Sequence, residues 1–172
     1  MAFSRDSGRM TTGSEVRTGP RLENDKVLDE TNRRILTELA DDPRLSMSAL
    51  GRRVGMSAPA VTERVQRLER VGVIRGYRLD VDPAALGYPI AAWVRVRPAL
   101  GHGKIAEQIA DRQPEVVECH KITGEDCLLM RVQVRDVADL DRVLEGWQEH
   151  ASTVTSVIKS TPVEPRNMLT VA

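Results

Sequence analysis

The sequence has few aromatic residues and no long apolar run. Its 172 residues include two Trp, two Tyr and one Phe, which is 3% of the chain. This scarcity argues against a stacking platform for single-stranded nucleic acid, which needs aromatic side chains along a groove. No stretch of about 18 apolar residues is present, so no transmembrane helix is predicted. Residues 1–20 are polar and lack the apolar core of a secretory signal, so we expect a cytoplasmic protein.

The cysteines and histidines are too few and too widely spaced to form a familiar metal or catalytic pattern. The two cysteines are Cys119 and Cys127, and the three histidines are His102, His120 and His150. No Cys/His cluster has the spacing of a zinc site, and no acid, base and nucleophile fall into a catalytic arrangement. We therefore expect two unpaired thiols in a reducing compartment, no metal, no cofactor and no enzymatic activity.

The zero net charge of the chain conceals a strong asymmetry. Lysine plus arginine and aspartate plus glutamate each number 25. Residues 43–78, however, contain eight arginines and two glutamates, a net charge of +6, and the segments on either side are mildly acidic. Concentrated positive charge is typical of a surface that binds the phosphate backbone of a duplex. The alternative reading of this segment taken alone is a solvated, arginine-rich helix face.

The same region has the periodicity of three short helices. They are predicted from Leu28 to Pro43, from Ser46 or Ser48 to Gly55, and from Ser57 to Gly72. Serine and aspartate are good N-caps, and Gly55 supplies a left-handed stop. Gly51 inside the second helix costs about 1 kcal/mol relative to alanine, which indicates a close approach of the third helix. Residues 73–79 are predicted to form a strand that leads out of the three helices.

Beyond a linker turn at residues 83–87 the apolar period changes from helical to alternating. Strands are predicted at residues 90–97, 116–122, 128–135 and 153–163, and helices at 105–113 and 137–147. The order βαββαβ is the split βαβ, or ferredoxin-like, arrangement. Its sheet carries helices on one face only, so we expect a dimer through the other face. The pattern leaves open whether the bare face carries Trp93 or the residues that alternate with it.

The predicted fold class is therefore α+β, with two domains. The segments are a disordered leader (residues 1–24), a winged-helix-like helix-turn-helix domain (25–78), a linker strand and turn (79–88), a ferredoxin-like domain (89–165) and a tail (166–172). The first predicted domain carries the concentrated positive charge of residues 43–78. The second carries the sheet face that no helix covers.

The second and third predicted helices form the helix-turn-helix. In such a motif the first of the two helices crosses the DNA backbone and the other lies in the major groove. We predict DNA contacts from Arg52, Arg53, Ser57, Ala58, Pro59, Thr62, Arg64, Arg67 and Arg75. The short side chains that begin the third helix would lie nearest the base edges, and the arginines would mainly contact phosphates, which position the protein. We expect Glu63 to face solvent.

Six short motifs occur in a characteristic order within residues 25–165. They are LDETNRRIL (28–36), VGMS (54–57), RVQRLERVGVIRGY (64–77), DPAALG (82–87), PEVVEC (114–119) and ITGEDC (122–127). Together they resemble the Lrp/AsnC family of feast/famine transcriptional regulators. The resemblance implies an N-terminal helix-turn-helix domain and a C-terminal ferredoxin-like domain that binds amino acids. It also implies dimers through the second domain, commonly assembled into octamers.

The family resemblance also implies an effector site between dimers, beside the hairpin that joins the second and third strands. Carried to this sequence, the site comprises Thr123, Gly124, Glu125, Asp126, Cys127 and Leu128, with Ser160 in the last predicted strand. Gly124 would let a backbone N–H approach a carboxylate closely, and Glu125 or Asp126 would pair with an α-ammonium group. The alternative is that the segment is only a polar hairpin tip.

These features predict a bacterial transcriptional regulator that binds specific sequences of double-stranded DNA. Its assembly or DNA binding would respond to an amino acid or related small molecule. A DNA-architectural protein without an effector is a second hypothesis, because the same basic segment would serve it. Some tetrapyrrole decarboxylases resemble this family's fold, but the histidines show no arrangement around a pocket.

Overall fold

A computed structural model describes residues 27–166 and Leu169. The predicted disordered leader, residues 1–24, lies outside the described residues. The described residues divide into two compact units: those up to Tyr77 together with Arg166 and Leu169, and Arg78–Pro165. Each unit encloses its own hydrophobic core.

The first unit contains three helices, each of which begins after a side-chain cap. Their bounds are Glu30–Asp41 (α1), Met47–Val54 (α2) and Ala58–Arg70 (α3). The side chains of Asp29, Ser46 and Ser57 each accept a hydrogen bond from the backbone N–H three residues later, which satisfies a donor that the helix leaves free. Of the two serines that could cap α2, Ser46 does so.

The three helices bury one apolar stripe each, and they meet closely at Gly51. The buried residues are Ile35, Leu36 and Leu39 of α1, Leu50 and Val54 of α2, and Val61, Val65 and Leu68 of α3. A Cβ added at Gly51 would lie 2.6 Å from the carbonyl oxygen of Met56, in the turn before α3. The close approach predicted at Gly51 is therefore real, and the turn's backbone makes it.

The predicted strand at residues 73–79 is wrong, because this segment forms no strand in the structure. The N–H groups of Val73 and Ile74 both donate to the carbonyl of Leu68, and both side chains pack against the helical core. Within the described residues, no neighbouring strand offers a ladder to the segment that follows. Alternating apolar residues favour extended chain, but a strand also needs a partner for its backbone groups.

The second unit has the predicted order βαββαβ. Its elements are Ile90–Pro98 (β1), Gly103–Arg112 (α4), Val116–Lys121 (β2), Leu128–Val134 (β3), Val137–Glu145 (α5) and Ala151–Val157 (β4). The strands form one antiparallel sheet in the order β2-β3-β1-β4. This arrangement confirms the expected α+β, ferredoxin-like domain.

The alternation along β1 decides which face of the sheet is bare. Ala92, Val94 and Val96 are fully buried in the core that also contains Trp147. The bare face therefore carries Trp93 and the residues in register with it, Arg131 of β3 and Ser156 of β4.

The last strand is shorter than the predicted 153–163. It pairs only with β1, and Ala92 lies opposite Val157. The N–H of Ile158 still donates to the carbonyl of Ala91, but β1 begins at Ile90. Beyond Ile158 the chain passes the start of β1 and has no strand to pair with, so Ser160 lies outside the sheet.

Leu169, in the predicted tail, packs against the helical core of the first unit. Among the described residues, no helix combines the length and apolar content that crossing a membrane would need.

Candidate nucleic-acid interface and ligand site

The residues predicted to contact DNA lie on the outer side of the helix-turn-helix. Arg52, Arg53, Ser57, Pro59, Arg67 and Arg75 are exposed, whereas Ala58, Thr62 and Arg64 are half-buried. The Thr62 hydroxyl donates a 2.7 Å hydrogen bond to the carbonyl of Ala58. The first turn of α3 thus presents short side chains next to exposed arginines.

Most arginine side chains in residues 43–78 have no hydrogen-bonding or ionic partner among the described residues. Six of the eight arginines in residues 43–78 make no side-chain hydrogen bond or ion pair with any described residue: Arg44, Arg52, Arg67, Arg70, Arg75 and Arg78. Guanidinium groups without a protein partner are free to contact a polyanion.

Arg64, by contrast, ties α3 to the start of α1. Its Nη1 donates to Oδ2 of Asp29 at 2.6 Å and to Oδ1 of Asn32 at 3.0 Å. The Arg64 hydrogen bond holds the pKa of Asp29 below its ordinary value of 3.8, and the N–H of Asn32 adds to this effect. Asn32 is buried, and its amide also donates to the carbonyl of Val27. Arg64 therefore has a structural partner that sequence reasoning missed.

Arg53 is also held by α1. Its Nη1 lies 2.8 Å from Oε2 of Glu38, and this hydrogen bond raises the pKa of the Arg53 guanidinium. Arg34 of α1 in turn donates to the backbone carbonyl of Arg53. Two of the nine residues predicted to contact DNA thus join α2 and α3 to α1.

The ligand-site segment forms the predicted connection between β2 and β3. The N–H of Ile122 donates to the carbonyl of Cys127, and the N–H of Cys127 donates to the carbonyl of Val96, each at 3.0 Å. Gly124 has φ of +116°, a conformation that side chains disfavour. These bonds place the hairpin tip beside the last residues of β1.

Two arginines of β1 face the hairpin's carboxylates. Nη2 of Arg97 lies 2.5 Å from Oε2 of Glu125, and Nε of Arg97 lies 3.6 Å from Oδ1 of Asp126. Arg95 lies 3.5 Å from Oδ2 of Asp126. Arg95 and Arg97 are two residues apart on β1, so the sequence places both side chains on one face of the sheet. The carboxylates that they contact are set by the tertiary fold and could not be predicted. The hairpin tip and the end of β1 therefore present opposite charges side by side.

The remaining residues predicted to bind the ligand do not all lie on the surface of the hairpin. Thr123 and Cys127 are exposed. Leu128 is only 2% exposed and belongs to the core, so its side chain is not on the surface of the hairpin. Ser160 follows β4 near the start of β1, whereas the hairpin adjoins the end of β1. Within one protomer, Ser160 is therefore not brought to the hairpin.

A cavity of about 360 Å³ lies at the opposite end of the sheet from the hairpin. Tyr88, Glu115, Gln133 and Arg142 are among its lining residues. Three of its charged groups pair with one another, because Arg142 contacts both Glu115 at 2.6 Å and Asp139 at 2.8 Å, whereas the guanidinium of Arg135 lies over the Tyr88 ring. These contacts hold the pKa values of both carboxyl groups below their ordinary values.

In the part of the chain that the structure describes, no group of three or more His, Cys, Asp or Glu residues could hold a metal ion. Both thiols are exposed and unpaired, and partial burial raises the pKa of Cys119. Two histidines distant in sequence do meet: the Nδ1 atoms of His102 and His150 are 3.4 Å apart.

Comparison with known proteins identifies both halves of the chain. Residues 28–69 match the AsnC-type helix-turn-helix domain, and residues 91–168 match the Lrp/AsnC ligand binding domain. The HTH-type transcriptional regulator LrpC of Bacillus subtilis is 33% identical over 133 residues, which is 77% of this chain and 92% of that protein. The chain belongs to the Lrp/AsnC family of transcriptional regulators.

Other relatives and solved structures agree with this assignment. The regulator AldR of Mycolicibacterium smegmatis is 35% identical over 158 residues, 88% of this chain and 92% of that protein. The structure of B. subtilis LrpC matches with a TM-score of 0.76 at 32% identity, over 80% of this chain and 99% of that chain. A complex of the regulator NMB0573 from Neisseria meningitidis with L-Met matches with a TM-score of 0.74, over 81% of this chain and 94% of that one, but at 22% identity it supports the fold alone. The family and the fold class predicted from the sequence are thereby confirmed.

Proposed function

We propose that this Lrp/AsnC-family protein is a cytoplasmic, sequence-specific DNA-binding regulator whose assembly or DNA binding responds to an amino acid or a related metabolite. The observation that carries the proposal is the division of charge. The first unit has five arginines without side-chain partners among the described residues, and in the second unit the carboxylates of the hairpin lie beside the guanidiniums of β1.

On the DNA side, α3 enters the major groove with its N-terminal turn foremost. Ser57, Pro59 and Thr62 lie nearest the base edges, where short side chains read shape and thymine methyl groups more than donor and acceptor patterns. Arg52, Arg67 and Arg75 contact phosphates and set the register. Arg53 and Arg64 act indirectly, because they hold the helices that carry the contacting residues.

On the ligand side, a free amino acid carries the two charges that the hairpin already pairs internally. Its carboxylate would take the place of a protein carboxylate on Arg95 or Arg97, and its ammonium group would bind Asp126 or Glu125. Charge-assisted hydrogen bonds of this kind are stronger than neutral ones. Thr123, Gly124 and Cys127 supply the surrounding backbone and side-chain surface. The L-Met complex of NMB0573 is a precedent for such a ligand on this fold.

The functional unit we propose is a homodimer joined through the Trp93 face of the sheet and assembled further, most simply to an octamer. A dimer presents two α3 helices to two half-sites of a duplex. Ligand binding changes DNA affinity only if it favours one assembly or arrangement over another. We propose no enzymatic activity and no metal-dependent or cofactor-dependent chemistry for this function.

The test is a titration of a fluorescently labelled duplex that contains the DNA upstream of the protein's own gene. We expect tight binding that weakens steeply with salt, and a shift in affinity or in assembly size with at least one of the twenty amino acids. Equal affinity for an unrelated duplex of the same length would overturn sequence specificity and favour an architectural role. Identical titrations with every amino acid, together with an unchanged sedimentation profile, would overturn the effector response.

A further inference from the structure

His102 and His150 form a contact that the regulatory function does not use. His102 precedes α4, and His150 is the residue just before β4. Their Nδ1 atoms are 3.4 Å apart, and their ring centroids are 5.3 Å apart at an interplanar angle of 60°. Both residues are half-buried, so solvent reaches the pair.

The backbone holds both histidines in place. The N–H of Ala99 donates to the carbonyl of His150 at 2.8 Å, and the N–H of His102 donates to the carbonyl of Ala99 at 2.9 Å. The N–H of His150 donates to the carbonyl of Trp147, whose side chain is fully buried. The pair therefore sits at a corner of hydrogen-bonded backbone, where β1 ends and β4 begins. Among the described residues, neither imidazole has another hydrogen-bonding or charged side-chain partner.

The distance between the two nitrogens is long for a hydrogen bond and equals the separation expected of two ligands on one metal ion. Hydrogen bonds donated by N–H groups in proteins commonly span about 2.7–3.2 Å between heavy atoms. Zinc binds histidine nitrogen at about 2.0–2.1 Å in tetrahedral geometry, which separates two nitrogens on one ion by roughly 3.3–3.4 Å. The observed 3.4 Å lies at this second distance.

We propose that His102 and His150 bind one divalent transition-metal ion of the zinc class through their Nδ1 atoms. Neutral imidazole suits zinc, copper and nickel. Two protein ligands leave the other coordination positions to water or to a donor from another molecule, so the site binds more weakly than a closed site with four protein ligands. The ion joins the loop after β1 to the start of β4, and it stabilises the second unit because folding brings together two ligands that are 48 residues apart in the sequence.

This site shares no residue with the charged hairpin. The hairpin joins β2 and β3 and bonds to Val96 near the end of β1, whereas the histidine pair lies between that end of β1 and the start of β4. Metal binding and the proposed amino-acid response can therefore fail independently of each other.

The experiment is a zinc titration of untagged, chelator-treated full-length protein by calorimetry. His102→Ala and His150→Ala are the test variants, and His120→Ala is the matched control, because that exposed histidine on β2 contacts Glu118 instead. We expect one ion per chain in the wild type and in the control, and loss of that binding in each test variant. Wild-type protein that binds no zinc, or test variants that bind it as the wild type does, would overturn the proposal.

A second measurement does not depend on the variants folding. The chain has only three histidines, so their imidazole NMR signals can be followed individually in the wild type. We expect zinc to shift the signals of His102 and His150 and to leave His120 unchanged, with a rise in the melting temperature of the second unit. Shifts confined to His120, or no shifts, would overturn the proposal.

Discussion

Arginine does different work in the two units of this protein. In residues 43–77 of the first unit, five of the seven guanidiniums have no side-chain partner among the described residues. In the second unit Arg95, Arg97 and Arg142 contact carboxylates, although Arg112 and Arg131 make no ion pair with a described residue. Surface ion pairs contribute only about 0–1 kcal/mol each, so the pairing mainly sets geometry. Unpaired charge keeps its attraction for a polyanion. A count of arginines cannot distinguish these roles, but the positions of the neighbouring carboxylates can.

The two units also differ in what their packing depends on. The first unit is three short helices whose approach requires a glycine at position 51 and the anchor from Arg64. The second unit is a four-stranded sheet that buries Trp147. Both tryptophans, Trp93 and Trp147, belong to the second unit. Tryptophan fluorescence therefore reports the second unit, while far-ultraviolet circular dichroism reports both.

Gly51→Ala should destabilise the first unit most. The new Cβ would lie 2.6 Å from the Met56 carbonyl oxygen, so the turn must move. We expect a loss of about 1–3 kcal/mol from overpacking, partly offset by about 1 kcal/mol of helix propensity. Urea unfolding should show an earlier dichroism transition and an unchanged fluorescence transition. Gly103→Ala in α4 is the control, because no neighbouring atom lies within 4 Å of its added Cβ. A joint shift of both transitions would show that the units unfold together.

Arg64→Ala should separate anchoring from DNA contact. It leaves Oδ1 of Asn32 and Oδ2 of Asp29 without the donor that Arg64 supplies, while the cap on Oδ1 of Asp29 remains. Unsatisfied buried groups cost about 1–3 kcal/mol. Because Arg64 is 34% exposed and Asp29 is 47% exposed, we expect about 1 kcal/mol after solvent screening. The matched control is Arg67→Ala on the same helix, where stability should stay within about 0.5 kcal/mol of wild type. Equal stability of the two variants would contradict the anchoring role.

Arg67→Ala should instead change the salt dependence of DNA binding. Arg67 is exposed and makes no ion pair with a described residue, so its charge is available to phosphate. Removing one phosphate contact should weaken binding to all sequences alike and reduce the slope of log K against log salt by about 1. Arg97→Ala in the other unit should leave that slope unchanged in the absence of effector. A changed slope for Arg97→Ala would place part of the DNA surface on the second unit.

Local chemistry made much of the fold predictable, whereas contacts distant in sequence did not. The caps Asp29 and Ser57 act within three residues of themselves, so the helix starts could be read from sequence. The segment 73–79 was misassigned because its strand pattern lacks a partner, which no local pattern reveals. The pairings of Arg97 with Glu125 and of His102 with His150 join residues far apart in the chain. The sheet register and the turns that create them are properties of the whole domain.

The smallest predicted effect is the loss of stability of the first unit when acid protonates Asp29. The Arg64 hydrogen bond lowers the folded-state pKa of Asp29 below 3.8, so its contribution is present above the ordinary pKa and is lost as pH falls through the lowered one. Asp29→Asn keeps a good N-cap but removes the charge. We expect the variant to be slightly less stable than wild type at pH 7 by dichroism, with no change in the fluorescence transition. The gap should narrow as pH falls from the ordinary pKa of the carboxyl and close below its lowered, folded-state pKa. A gap that persisted in acid would mean that the cap, rather than the ionised pair with Arg64, supplies the stability at this helix start.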